Sequence, residues 1–264
     1  MLPWRANVAS RDGFDSGFDR AWAEAQAQSA LGRAVTSLPV RWFHAKLEGV
    51  DRIPAQGAAL LVGNHSFLGL DGFVLAALVN REAGRYLRFL GERHLWDIPA
   101  LGSILTRLGA VAGEPEVAVA MLEAGDLVAV YPGGIDDSWK PKAERYRLQW
   151  GQRAGFARVA MRARVPIVPV AGLGIDDAYD VVGRERRFGR ALFGSPRYDL
   201  PIAFGALGTL LPRRAPQRYV VLPPVDTQGD PASADDVERV RRATYERLDA
   251  VLAHARGGAL SSPT

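Results

Sequence analysis

Ala58-Ala59-Leu60-Leu61-Val62-Gly63-Asn64-His65-Ser66-Phe67-Leu68-Gly69-Leu70-Asp71 decides the fold class. Ala58 to Val62 is uninterrupted apolar sequence of strand length, the polar Asn64-His65 pair ends it, and an apolar-periodic helix runs on through Phe73 to Leu78. The same alternation continues outward. Strands are expected at Tyr86 to Leu90, Leu127 to Tyr131 and Ile167 to Val170, with helices near Ile98 to Leu108, Glu116 to Glu123 and Arg153 to Arg164. Strands alternating with helices of this length predict a single α/β domain, a layered and mostly parallel sheet flanked by helices, with its site at the strand ends.

Upstream, Trp42 and Phe43 among polar neighbours read as strand-like over Val40 to Glu48, and Gly49 to Gly57 reads as a turn. Downstream, Tyr219 to Leu222 is a closing strand, Pro223 to Pro231 a linker and Ala234 to Ala255 a charged amphipathic helix. Phe14, Phe18 and Trp22 recur every four residues, so residues 1–36 form an N-terminal amphipathic helical segment ahead of a domain over 37–256, with a disordered tail at 257–264. That helix fits docking on the core or lying on a membrane. Leu200 to Leu211, apolar apart from Gly, Thr and Pro and followed by Arg213 and Arg214, fits an interfacial segment or a buried core hairpin.

The chain has 264 residues, 48% hydrophobic and 23% charged, which is ordinary globular composition. It has no cysteine, which removes disulfides, thiolate metal sites and cysteine nucleophiles from this sequence. The 33 basic residues against 29 acidic give a net charge of +4, too small an excess for a nucleic-acid binder. No run reaches the ~18 apolar residues of a membrane-spanning helix, and Met1 to Ser16 carries charges where a signal peptide is apolar. The expectation is a cytoplasmic protein.

The four histidines, His44, His65, His94 and His254, show no i,i+4 pairing, so no histidine-rich metal site is expected. His65 falls directly after a buried strand, and five residues separate it from Asp71. A turn, which Gly69 permits, would let the two meet, and a carboxylate holding an imidazole makes a general base. The same spacing also fits a buried histidine beside a helix-capping aspartate. Tyr131-Pro132-Gly133-Gly134-Ile135-Asp136-Asp137 follows a second buried strand, and its glycine N–H groups fit an oxyanion or phosphate, or a plain turn. Between Trp139 and Arg164, eight cations, Arg145 and Arg153 among them, face Glu144 alone, which fits an anionic substrate, an anionic membrane or a solvated helix face.

Together these segments resemble the glycerolipid and lysophospholipid acyltransferase superfamily, whose signature is a histidine and an acidic residue after a strand, then Phe-Pro-Glu-Gly, then a strand rich in Val, Ile and Pro. The matching residues are Asn64, His65 and Asp71, then Tyr131 to Gly134, then Val165 to Val170, and the likeness spans about Leu47 to Val225. The family has four residues between its histidine and aspartate where this chain has five, and Gly133 stands where the family has its glutamate. Pro132-Gly133-Gly134 and the stretch Tyr146 to Arg158 are similar to the branch of phytyl-ester and diacylglycerol acyltransferases, in which an acidic residue follows the Gly-Gly pair. Asp137 stands in that place. In the phosphate-using members of the family an upstream arginine helps bind the glycerol phosphate; the corresponding stretch here, Leu108 to Gly113, has none, although Arg107 lies just before it, so the resemblance argues against a phosphate-bearing acceptor.

The resemblance implies a glycerol-3-phosphate-acyltransferase-like fold and an O-acyltransferase in which His65, oriented by Asp71, deprotonates an acceptor hydroxyl that attacks an acyl thioester. It implies an acyl-CoA or acyl-carrier-protein donor, a glycerolipid or other lipid alcohol acceptor, and no metal or bound cofactor. Asn64, Ser66, Tyr131, Pro132, Gly133, Gly134, Asp137, Arg145 and Arg153 are the expected substrate contacts. A lysophosphatidate acyltransferase and a non-catalytic membrane lipid-binding protein are the rival readings. Peripheral association with the inner face of the cell membrane is expected from Leu200 to Leu211, Arg213, Arg214 and the N-terminal stripe.

Overall fold

A computed structural model describes residues 22, 24–26, 29–92, 95–96, 101–107, 109–185 and 200–256. The expected helix over Phe14 to Ala25 lies outside the described residues except for Trp22 and residues 24–25, which are helical, and the tail 257–264 lies outside them altogether.

The strands are β1 (Lys46–Glu48), β2 (Ala59–Gly63), β3 (Leu87–Gly91), β4 (Ala110–Ala112), β5 (Leu127–Val130), β6 (Ile167–Leu173), β7 (Asp180–Glu185), β8 (Leu200–Phe204) and β9 (Arg218–Val221). The helices are α1 (Ala30–Trp42), α2 (Leu70–Ala83), α3 (Leu101–Arg107), α4 (Pro115–Glu123), α5 (Gly134–Ser138), α6 (Gly155–Ala163) and α7 (Ala234–Arg256). One sheet runs β1-β9-β6-β2-β5-β3-β4, and β7 and β8 form a separate antiparallel pair. Within the large sheet only the β6–β9 pairing is antiparallel, so the expected mostly parallel sheet is what forms.

β2 is buried at every position because it lies between β5 and β6 with helices on both faces. Its side chains alternate between two cores. Leu60 and Val62 join the face covered by α4, α6 and α7, and Ala59 and Leu61 join the face covered by α1 and α2. The chain leaves β2 for α2 on one face and leaves β5 for α6 on the other. Adjacent parallel strands whose connections diverge to opposite faces open a crevice at their carboxyl ends, where ligands of α/β sheets bind.

Three expectations need correction. Val40 to Trp42 are helical rather than strand-like, and only Lys46–Glu48 is a strand. Ser29 caps that helix by accepting from the Gly32 N–H at 2.9 Å, and burial of Val40 holds its last turn, so the β-branched and aromatic residues there follow the helix that precedes them. α1 also runs across the boundary expected at residue 36. Finally, Leu200 to Leu211 is not a buried hairpin: β8 pairs with β7 alone, and Leu207, Leu210 and Leu211 are exposed.

Candidate active site

The chain leaving β2 is fixed to β6 before it reaches His65. Asn64 Nδ2 donates to the Gly172 carbonyl at 2.9 Å, and the Gly172 N–H donates to Asn64 Oδ1 at 2.8 Å. A 3₁₀ turn over Phe67–Gly69 then folds the chain back, with Leu68 at φ 62° and Gly69 at φ 66°. Left-handed backbone at Leu68 costs about 1–2 kcal/mol and helps turn the chain back between His65 and Asp71. Gly69 has a second reason to lack a side chain, because a Cβ there would lie 3.3 Å from His65 Cε1 and 3.6 Å from Nε2.

With the turn in place, His65 Nδ1 lies 2.9 Å from Asp71 Oδ2. Asp71 Oδ1 accepts from the Ser66 N–H at 3.1 Å and from Ser66 Oγ at 2.7 Å. Asp71 sits in the first turn of α2 yet caps nothing there, because the capping position is Gly69. Its carboxylate is spent on the histidine loop. With Asp71 ionised, Nδ1–H donates to its carboxylate, so Nε2 presents a lone pair toward the open backbone at Gly69. The imidazole stacks on the Tyr131 ring with centroids 4.2 Å apart and planes 15° apart.

Burial works against a charged His65, but the Asp71 charge and hydrogen bond, helped by Asp137 and opposed by Lys140, hold its pKa above the ordinary histidine value. Burial likewise opposes ionised Asp71, and the neighbouring His65 and Ser66 donors hold its pKa below the ordinary carboxylate value.

Tyr131, at the end of β5, brings the second predicted segment against the first. The Gly134 N–H donates to the Tyr131 carbonyl at 2.9 Å, so this N–H closes the turn and is not aimed at a ligand. The Gly133 carbonyl accepts from Arg153 Nη1 at 2.9 Å. Ser66 is tied to Asp71, and Asn64 to Gly172, so both shape the loop from inside. Asp137 is wholly buried; its carboxylate accepts from the His65 N–H at 3.0 Å and the Gln149 N–H at 3.3 Å. Arg145 pairs with Asp180 at 2.6 Å and Asp177 at 3.3 Å, and Arg153 pairs with Asp136. The basic run from Trp139 to Arg164 is thus partly neutralised by acids remote in sequence, Asp176 and Glu116 included.

The sequence reading missed Ser138, Lys140 and Asp176, which pack beneath His65. Lys140 and Asp176 are buried and paired at 3.1 Å. A lysine that follows an acidic pair, in a chain with only three lysines, was the available signal. Among the described residues, no group of three or more His, Asp or Glu side chains is gathered as a metal site.

A family model described as Acyltransferase matches residues 44–172, which includes both the His65 loop and the Tyr131–Gly134 turn. An uncharacterized protein of Mycobacterium tuberculosis (strain ATCC 25618 / H37Rv) is 34% identical over 215 residues, covering 80% of this chain and 59% of its own length. The human "DGAT1/2-independent enzyme synthesizing storage lipids" is 31% identical over 164 residues, covering 62% of this chain and 50% of its own. The chain thus spans little more than half the length of these relatives. The crystal structure of the 1-acyl-sn-glycerophosphate (LPA) acyltransferase PlsC from Thermotoga maritima has the same fold, with a TM-score of 0.56 at 16% identity over 88% of this chain and 87% of that one. The span matched by the Acyltransferase family model contains the loop that pairs His65 with Asp71, so the sequence likeness to an acyltransferase domain falls on the part of the fold that carries the candidate site.

Proposed function

We propose that the chain is a peripheral-membrane O-acyltransferase that moves a fatty acyl group from an acyl-CoA or acyl-carrier-protein thioester to the hydroxyl of a glycerolipid or other lipid alcohol. The observation that carries this reading is the 2.9 Å contact between His65 Nδ1 and Asp71 Oδ2, which leaves Nε2 as the proton acceptor. The acceptor hydroxyl gives its proton to Nε2 as its oxygen attacks the thioester carbonyl. Collapse of the tetrahedral intermediate re-forms the carbonyl, breaks the C–S bond and passes the proton to the departing sulfur, leaving an ester and a free thiol. Asp71 stabilises the imidazolium while it exists.

A neutral acceptor is supported by Gly133, which offers no carboxylate where the family has one, and by likeness to an enzyme named for storage-lipid synthesis. Work at the inner face of the cell membrane is supported by the exposed Leu207, Leu210 and Leu211 with Arg213 and Arg214 beside them. Among the described residues no helix is long and apolar enough to cross a membrane.

Thiol release from palmitoyl-CoA, and then from palmitoyl-acyl carrier protein, tests the reading with diacylglycerol, a long-chain alcohol and lysophosphatidate as acceptors. Release that needs both an acceptor and His65 is expected, with the neutral acceptors preferred. Lysophosphatidate as the best acceptor would move the enzyme to phospholipid synthesis. Full turnover by folded His65→Ala, or binding of lipid vesicles with no release from either donor, would overturn the catalytic reading.

A further inference from the structure

We propose that Asp137, Ser138 and Lys140 form a clamp on the His65–Ser66 backbone that positions the imidazole for its work. Asp137 Oδ2 accepts from the His65 N–H at 3.0 Å, and Lys140 Nζ donates to the His65 carbonyl at 2.8 Å. Ser138 Oγ donates to the Ser66 carbonyl at 2.8 Å. Asp71 Oδ1 takes the remaining Ser66 N–H, so both polar backbone atoms of each residue are held by side chains. The two carboxylates that grip this dipeptide come from different elements, Asp71 from α2 and Asp137 from α5.

The clamp is itself braced. Lys140 Nζ lies 3.4 Å from Asp137 Oδ1, 2.8 Å from the Asp137 carbonyl and 3.1 Å from Asp176 Oδ1, and all three side chains are buried. Asp176 is fixed in turn by the Tyr146 N–H, which donates to it at 2.7 Å. A buried lysine between two carboxylates costs desolvation that well-packed apolar side chains would avoid, so such a cluster is poor stability design and is suited to fixing one geometry. What it fixes here is the peptide that carries the proposed base. An error of 1 Å in such a group is enough to cost ~10²-fold in rate. Because Asp137 and Lys140 carry opposite charges beside His65, they also pull its proton affinity in opposite directions. Among the described residues, Asp71 from α2 and Tyr131 after β5 also face the ring.

The rate part of this inference rests on the acyltransferase reading; the positioning part does not. The test compares wild type with Asp137→Asn and with Lys140→Met/Asp176→Asn, the second substitution being paired because Lys140→Met alone strands a buried Asp176. Folding is checked by circular dichroism. His65 is titrated by NMR in the absence of substrate, and kcat and the donor KM are measured separately. We expect kcat to fall about tenfold or more with KM within about twofold. The His65 titration midpoint should move down in Asp137→Asn and up in Lys140→Met/Asp176→Asn. A purely structural role would not move the midpoint in opposite directions. If wild type shows no turnover, the acyltransferase reading fails while the titration still decides the clamp. Folded variants with unchanged midpoints, or with both moved the same way, would overturn it, as would unchanged kcat in an active protein.

Discussion

A side chain at Gly133 would place its Cβ 2.3 Å from the Cβ of Asp137 and 2.8 Å from its Cγ. Asp137 has no room to withdraw, because its carboxylate is held by the His65 N–H, the Gln149 N–H and Lys140. An acid at 133 and this buried acid at 137 therefore exclude one another. That is a physical account of why this chain has glycine where the wider family has glutamate.

Gly133→Ala is accordingly expected to destabilise by about 1–3 kcal/mol through overpacking, seen as a fall of a few degrees in Tm. In an Asp137→Gly background the same change should cost much less, because the Cβ and carboxyl atoms it collides with are gone. Equal costs in the two backgrounds, from a double-mutant cycle by denaturant unfolding, would show that the two positions do not couple.

The pH profile carries a second prediction. Catalysis needs neutral His65, whose pKa is raised above 6.5, so kcat/KM should rise with pH through a midpoint above that value. Asp71→Asn should lower the rate by roughly 10²–10⁴ and move the midpoint down, since it removes the charge that favours the imidazolium. The stability signs follow from linkage. The raised His65 value contributes stability present in full below its unfolded pKa and lost as pH rises through the folded one. The lowered Asp71 value contributes stability present above its unfolded pKa of 3.8 and lost as pH falls through the folded one. Urea unfolding should therefore show the gap between wild type and Asp71→Asn shrinking from pH 5 toward pH 9.

Arg88 and Asp126 give a prediction independent of function. Arg88 Nη1 and Asp126 Oδ2 are 2.8 Å apart, with side chains 1% and 6% exposed, and Arg88 Nε donates to the Gly109 carbonyl at 3.3 Å. Arg88→Met takes the guanidinium away from a buried carboxylate and should cost about 3–5 kcal/mol. Arg88→Met/Asp126→Leu should recover most of that loss. A double variant as unstable as the single one in guanidinium unfolding would mean that packing, not stranded charge, sets the cost.

The sequence displayed the site in unequal parts. β2 and the His65 loop were legible because a run of apolar residues ending in Gly63 and Asn64 is local information, and the pairing with Asp71 needed only a turn that Gly69 allows. The grip on His65 from behind was not legible. Asp137, Ser138 and Lys140 lie 72 to 75 residues further on, and no local spacing records that β5 will lie beside β2. Charge misled for the same reason. Arg145 and Arg162 look unopposed in sequence, and their partners Asp180 and Glu116 arrive only through the fold. Val40 to Trp42 failed differently, since short-range β propensity there yields to a helix already capped at Ser29.

The surface at Leu207 gives the remaining prediction. Leu207 is fully exposed on a 3₁₀ turn, with Leu210 and Leu211 beside it and Phe204 leading in from β8. This loop is tied to α1, because Trp42 Nε1 donates to the Pro212 carbonyl at 3.2 Å and Arg214 lies over the Trp42 ring at 5.3 Å. α1 has its own exposed apolar residues at Leu31, Val35 and Leu38, one helical stripe by spacing. An apolar patch with arginines beside it suits a lipid surface carrying anionic headgroups, and each leucine that enters it is worth about 1.5–3 kcal/mol when fully buried. Leu207→Asp/Leu210→Asp should therefore reduce co-sedimentation with anionic vesicles at least tenfold by the same reckoning, while Tm stays unchanged because both side chains point into solvent. Thiol release with a water-soluble short-chain alcohol and donor should be unaffected, and release with a vesicle-borne acceptor should fall. Equal vesicle binding by wild type and the variant at low and high salt would remove this face from membrane attachment.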